Sequence, residues 1–256
     1  MQLFMKNILQ AVSVYLFAVF ALANAHAESP PVYELRVYTT HPGKRPDLLA
    51  RFREHTCAIF ARHGMENVGY WLPLEPKDGD KLYYFLKHPG REAAQAAWKA
   101  FGADPEWQTV RKTSEANGAI VSGVESVFLT LTDYSPAVPA LTGSHVFELR
   151  TYTTNDGKLD ALDRRFREHT IALFAKHGMI NLPYWHVTDA DKGAGKTLVY
   201  LLAHESREAA TKSWAAFQAD PEWIKVRTES EAAGKILISG GVKSVFLSPT
   251  DFSALK

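Results

Sequence analysis

The sequence predicts an α+β protein: two ferredoxin-like β-α-β-β-α-α-β units in one chain, packed sheet to sheet. Three observations predict it. The chain repeats itself: "VYELRVYTT" (32–40) returns as "VFELRTYTT" (146–154), "RFREHT" (51–56) returns unchanged at 165–170, and "NVGYW" (67–71) returns as "NLPYW" (181–185), all 114 residues apart. Each copy alternates strand-period and helix-period segments in the order of a split β-α-β unit. Such a unit covers one sheet face with helices and leaves the other bare, so two copies can bury their bare faces against each other.

The repeat continues to the end of the chain. "REAAQAAWKAFGADPEW" (91–107) meets "REAATKSWAAFQADPEW" (207–223) at an offset of 116, and "SVFL" (126–129) meets "SVFL" (244–247) at 118. The period is domain-sized and far longer than a solenoid repeat. Residues 28–135 are the first domain and 146–256 the second. The link between them, 136–145, falls in "TDYSPAVPALTGS" (132–144), which carries two prolines and a glycine.

Each element has a local cause. Residues 32–40 alternate and are rich in β-formers, which predicts a strand. Residues 44–63 place Leu48, Phe52, Ile59 and Phe60 at helical spacing, and Gly64 stands where a C-terminal cap belongs. Residues 67–73 and 81–87 are aromatic-rich strands, and 91–102 is an Ala-rich helix. Asp104-Pro105-Glu106 reads as a helix start, with an N-cap carboxylate, proline at the first position and an acid facing the dipole. Residues 123–131 form the last strand.

The first strand is split by its two-residue period. Tyr33, Leu35 and Val37 share one face, and this apolar face is expected under the helices. Glu34, Arg36 and Tyr38 share the other, as do Glu148, Arg150 and Tyr152 in the second copy. Where sheets meet, these charges become buried and need partners. Glu34 can pair with Arg150 and Arg36 with Glu148 across a pseudo-twofold. An intrastrand pair, or a cavity holding an anionic or carbonyl-bearing ligand on the guanidinium fork, is equally consistent with the pattern. Tyr70-Trp71 and Tyr184-Trp185 put one ring on each side of the sheet, so Trp71 and Trp185 join the candidate ligand-binding set.

His55 falls on the helical stripe Leu48, Phe52, His55, Ile59, and His169 on its copy Leu162, Phe166, His169, Leu173, so both are expected to face the sheet. The readings are a hydrogen-bonded core histidine or a general base; His55, His169, Tyr38 and Tyr152 are the catalytic candidates. His63 and His177 precede glycines in a last helical turn and read as dipole caps. No histidine pair has the i, i+4 spacing of a helical zinc site, and no nucleophile elbow or phosphate loop occurs. Neither a metal nor a cofactor is expected.

The N-terminus carries one cation, Lys6, an apolar run from Ile8 to Ala23 and then Ala25-His26-Ala27, the layout of a secretory signal peptide cleaved after Ala27. Cleavage leaves 28 basic and 28 acidic residues, a balance unsuited to nucleic acid. Cys57 is the only cysteine, so no intrachain disulfide can form. The expectation is a periplasmic or secreted protein with no membrane span after cleavage.

"VYELRxYTT", "FxxHGM", the strand tryptophan and "W..F..DPEW" together resemble the NIPSNAP family, over nearly the whole mature chain and twice. The resemblance implies a dimeric α/β barrel, here built within one chain around a central cavity. It brings no agreed catalytic set. The family's mitochondrial members are regarded as adaptors or sensors, and the secretory signal here argues against carrying over their partners. Related barrels include cofactor-free monooxygenases, haem peroxidases and lyases. With no complete catalytic constellation legible, the expected function is binding of a small, partly apolar ligand in the barrel cavity. A cofactor-independent monooxygenase or isomerase is the alternative, and further association between copies is compatible with the fold.

Overall fold

The computed structural model describes residues 30–256; the signal segment read at 1–27 lies outside the described residues. The first half runs β1 (Val32–Thr40), α1 (Arg45–Arg51), a π-helical turn (Phe52–Thr56), α2 (Cys57–Arg62), β2 (Glu66–Pro73), β3 (Lys81–His88), α3 (Arg91–Ala103), α4 (Pro105–Ser114) and β4 (Val121–Leu131). The second repeats it as β5 (Val146–Thr154), α5 (Leu159–Arg165), a π-helical turn (Phe166–Thr170), α6 (Ile171–Lys176), β6 (Ile180–Val187), β7 (Thr197–His204), α7 (Arg207–Ala219), α8 (Pro221–Ser230) and β8 (Leu237–Pro249).

The turn chemistry read from the sequence is present. Asp104 accepts from the backbone N–H groups of Glu106 and Trp107, and Asp220 accepts from that of Glu222. Gly64 and Gly178 take φ of +75° and +76° behind α2 and α6, a conformation that would strain any residue with a Cβ.

The eight strands close into one antiparallel barrel in the order β1-β3-β2-β8-β5-β7-β6-β4. Each half contributes four consecutive strands. The halves join where β2 meets β8 and β4 meets β6. Each half then sends its last residues across the other. Tyr70 donates its N–H to Ser253 Oγ at 2.9 Å under the Phe252 ring, and Tyr184 donates to Ser135 Oγ at 2.9 Å beside Tyr134.

The sheet separates three cores. The barrel interior is filled by side chains of both halves, among them Leu35, Trp71, Phe85, Phe147, Leu149 and Trp185. Trp185 stacks on Phe85 with centroids 4.9 Å apart, and Trp71 meets Phe147 at 5.5 Å. The other two cores lie between helices and the outer sheet face, one per half, built on Phe52, Tyr70 and Tyr84 or on Phe166, Tyr184 and Tyr200.

Two expectations are corrected here. The two faces of β1 are exchanged: the apolar Tyr33, Leu35 and Val37 point into the barrel, and Glu34, Arg36 and Tyr38 lie under the helices. A closed barrel of this width offers its interior no helix side chain and no free backbone donor, so a charge there would go unsatisfied. Under α3 the same charge meets donors. The second correction follows from the first. Trp71 and Trp185 are fully buried among the apolar side chains of the barrel interior, across the sheet from the polar triple, so they do not share a site with it.

Candidate ligand site between helices and sheet

The polar triple of β1 is the centre of a buried network. The Glu34 carboxylate is 1% exposed and receives four side-chain donors: Arg36 Nη1, Ser126 Oγ at 2.6 Å, Trp98 Nε1 at 2.7 Å and His88 Nε2 at 3.2 Å. Burial alone would raise its pKa. The His88 bond, the Arg36 charge and the Ser126 and Trp98 donors outweigh burial and hold the pKa at about 2. Arg36 in turn donates from Nε to Tyr84 Oη at 3.0 Å and lies 4.2 Å from the Trp98 ring.

The second half repeats every part. Glu148, also 1% exposed, takes Arg150, Ser244 at 2.6 Å, Trp214 at 2.7 Å and His204 at 3.0 Å, and its pKa is likewise held at about 2. Of the readings left open, the cross-half pairs Glu34–Arg150 and Arg36–Glu148 do not form, and the pairs within a strand, Glu34–Arg36 and Glu148–Arg150, do. Residues two apart on a strand share a face. One tryptophan from the covering helix, with a histidine and a serine from the two neighbouring strands, completes each shell within its own half.

Beside each network lies a cavity roofed by helices. In the second half it measures about 510 Å³ and is lined by Arg150, Tyr152, Arg165, Trp214, Trp223 and Arg227, among others. In the first half the matching space is about 340 Å³, and Tyr38, Arg51, Trp107 and Arg111 line it without Arg36 or Trp98. Of the expected binding residues, Tyr38, Arg150 and Tyr152 thus reach a cavity. Glu34, Arg36 and Glu148 support from beneath, and Trp71 and Trp185 lie on the far side of the sheet.

The catalytic candidates His55 and His169 do not face the sheet. The π-helical turn inserts one residue into the helical phase: Cys57 N–H bonds Phe52 O five residues back, and Thr56 Oγ1 bonds Arg51 O at 3.0 Å. Arg51, Phe52 and Thr56 are consequently the buried members of "RFREHT", and the histidine turns into a cleft between α1 and α4. His169 is rotated out in the same way, its side chain 42% exposed. His63 and His177 end their helices as expected, and each also bonds the next N-cap carboxylate, Asp104 or Asp220, at 2.7 Å.

Sequence reasoning passed over His88, Ser126 and their copies His204 and Ser244. Each recurs at a matching strand position in both halves, a signal present in the repeat itself.

Fold and site together define a dimeric α/β barrel made by a single chain, with a cavity between sheet and helices in each half. The NIPSNAP family profile matches residues 33–136 and again 147–254, and the chain belongs to that family. Among solved structures it is similar to a protein of Lactobacillus acidophilus NCFM named a "putative monooxygenase", at 14% identity and TM-score 0.55, covering 89% of this chain and 100% of that one. An anthrone oxidase-like protein matches at 14% identity and TM-score 0.54, covering 90% and 96%. A NIPSNAP family protein of Agrobacterium tumefaciens is 21% identical over 41% of this chain and 97% of its own, with TM-score 0.37. Comparison with the curated proteins finds no match.

Proposed function

We propose that this chain binds a small, partly apolar organic ligand in the helix-roofed cavity of its second half, and that it acts outside the cytoplasm after losing residues 1–27. One observation carries the first part. The 510 Å³ space combines three arginines with tryptophan and phenylalanine walls, a size and lining suited to a small molecule, whereas the barrel interior is built of buried apolar side chains. Native mass spectrometry of protein purified from the exported fraction tests it. A small-molecule adduct released on denaturation is the expected result. A bare polypeptide mass, together with no binding from a panel of aromatic and aliphatic ligands, would overturn it. The same sample tests export, with an N-terminus at Glu28 expected.

The second reading, oxygenation without a cofactor, draws on the names of the two barrel neighbours. Such chemistry starts with removal of a substrate proton. Glu148 is ionised at neutral pH, but all four of its donors hold it away from that task, and Glu231 at the cavity edge is engaged by Lys235 and Arg165. The other titratable oxygen in the lining is the Tyr152 hydroxyl, which accepts from Arg150 at 3.1 Å and takes a substrate proton only after losing its own to solvent. Oxygen uptake with anthrone as substrate separates the readings. Binding alone predicts no uptake above the buffer rate. Uptake that Tyr152→Phe abolishes would establish the enzyme.

A further inference from the structure

Resting on the binding reading above, we infer that the second-half cavity selects an organic carboxylate, and that Lys235 prepares it by drawing Glu231 away from the arginines at the cavity wall. In the first half Glu115 is clamped by two guanidinium groups, Arg51 Nη1 at 3.0 Å and Arg111 Nε at 3.2 Å. The copies of these residues are Glu231, Arg165 and Arg227. Here Lys235 Nζ takes Glu231 at 2.8 Å, Arg165 is left at 3.3 Å, and Arg227 has no carboxylate partner among the described residues. The position of Lys235 is held by Ala119 in the first half, so that half has no such competitor.

Two guanidinium groups are thus underused at one wall of the cavity. Arg165 is 4% exposed and its buried Nε–H has no acceptor, as is also true of Arg51 in the first half, so what sets the second half apart is Lys235 and the unpaired Arg227. A buried unpaired donor is costly, so an acceptor from a ligand is favoured there. Burial pushes the Arg165 pKa down against the pull of Glu231, as expected where the counter-charge is loosely held. Arg227 is exposed at the mouth and free to meet a carboxylate by its fork of donors. Trp214, Trp223 and Phe217 supply the apolar body of the site.

The test is calorimetric titration of the full mature chain with 2-naphthylacetate and with the matched alcohol 2-naphthaleneethanol. The acid is expected to bind at least about tenfold more tightly, the scale of one charge-assisted hydrogen bond. Arg227→Met, a surface change, is expected to bring the two ligands to within about twofold. Lys235→Ala should shrink the preference in the same direction, because Glu231 returns to the arginines. Equal affinity for acid and alcohol in the unaltered protein would overturn the carboxylate assignment and leave the binding reading in place. A preference untouched by both variants would also overturn it. No binding of either ligand would count against the binding reading itself.

Discussion

The two halves differ where they need not agree and agree where they must. The Glu34 and Glu148 networks match donor for donor, with distances within 0.2 Å at each Ser, Trp and His contact. Around them the copies part. Asp163 is bonded by Tyr134 at 2.6 Å and by His186 at 2.9 Å, whereas the matching places beside the first half are taken by Leu49 and Leu72 and by Phe252 from the crossing tail of the second. Lys235 answers Ala119, and the cavity grows from about 340 to about 510 Å³. The buried networks hold each sheet to its helices, so neither half can change its own without stranding charge. The cavity rim bears no such constraint and is where one half acquired positive character.

This contrast can be attacked from its strongest prediction down. Acid should have the largest effect. Because both carboxylates titrate near 2 in the folded chain and near 4.5 otherwise, their contribution is fully present above about pH 4.5 and is lost as pH falls toward 2. Each carries about 3 kcal/mol, so chemical denaturation followed from pH 6 to pH 2 should lose about 6 kcal/mol from this source. In Glu34→Gln the loss with pH should halve; an unchanged profile would separate the network from stability.

Next comes the substitution itself. Glu148→Gln leaves Arg150 buried without its counter-charge, at an expected cost of about 3–5 kcal/mol, and Glu34→Gln should cost the same within about 1 kcal/mol. A twofold inequality would break the equivalence of the halves. A smaller effect is expected at the divergent cluster. Asp163→Leu strands the Tyr134 hydroxyl and the His186 ring, at about 1–3 kcal/mol. The triple change Tyr134→Phe, Asp163→Leu and His186→Leu, which copies the first half, should recover most of that loss. The smallest effect belongs to Arg227→Met, within about 0.5 kcal/mol of the parent in urea denaturation because the residue is exposed.

Much of the fold was legible because its causes are local. The repeat, the strand alternation and the Asp-Pro-Glu helix starts are each fixed by a few neighbouring residues. Alternation shows that Glu34, Arg36 and Tyr38 share a face, but it does not say which face the helices cover. In a closed barrel both faces are buried, so polarity does not mark the outside. The answer lay in Trp98 and His88, more than fifty residues away, which bring the donors. His55 was misplaced for a different reason. The five-residue turn at Phe52–Thr56 shifts the helical phase, and the period used to read the helix contains no sign of it. Arg150 and Tyr152 were found as site residues because they recur in the repeat. Arg165, Arg227 and Lys235 escaped notice because their significance lies in how the halves differ.

The central claim is that the binding space lies between helices and sheet in the second half and not within the barrel. A crystal structure of residues 28–256 with 2-naphthylacetate tests it most directly. Ligand density is expected against Trp214 and Trp223, its carboxylate toward Arg165 and Arg227, with no matching density beside Trp107. Density inside the barrel between Trp71 and Trp185, or equal density in both halves, would contradict it.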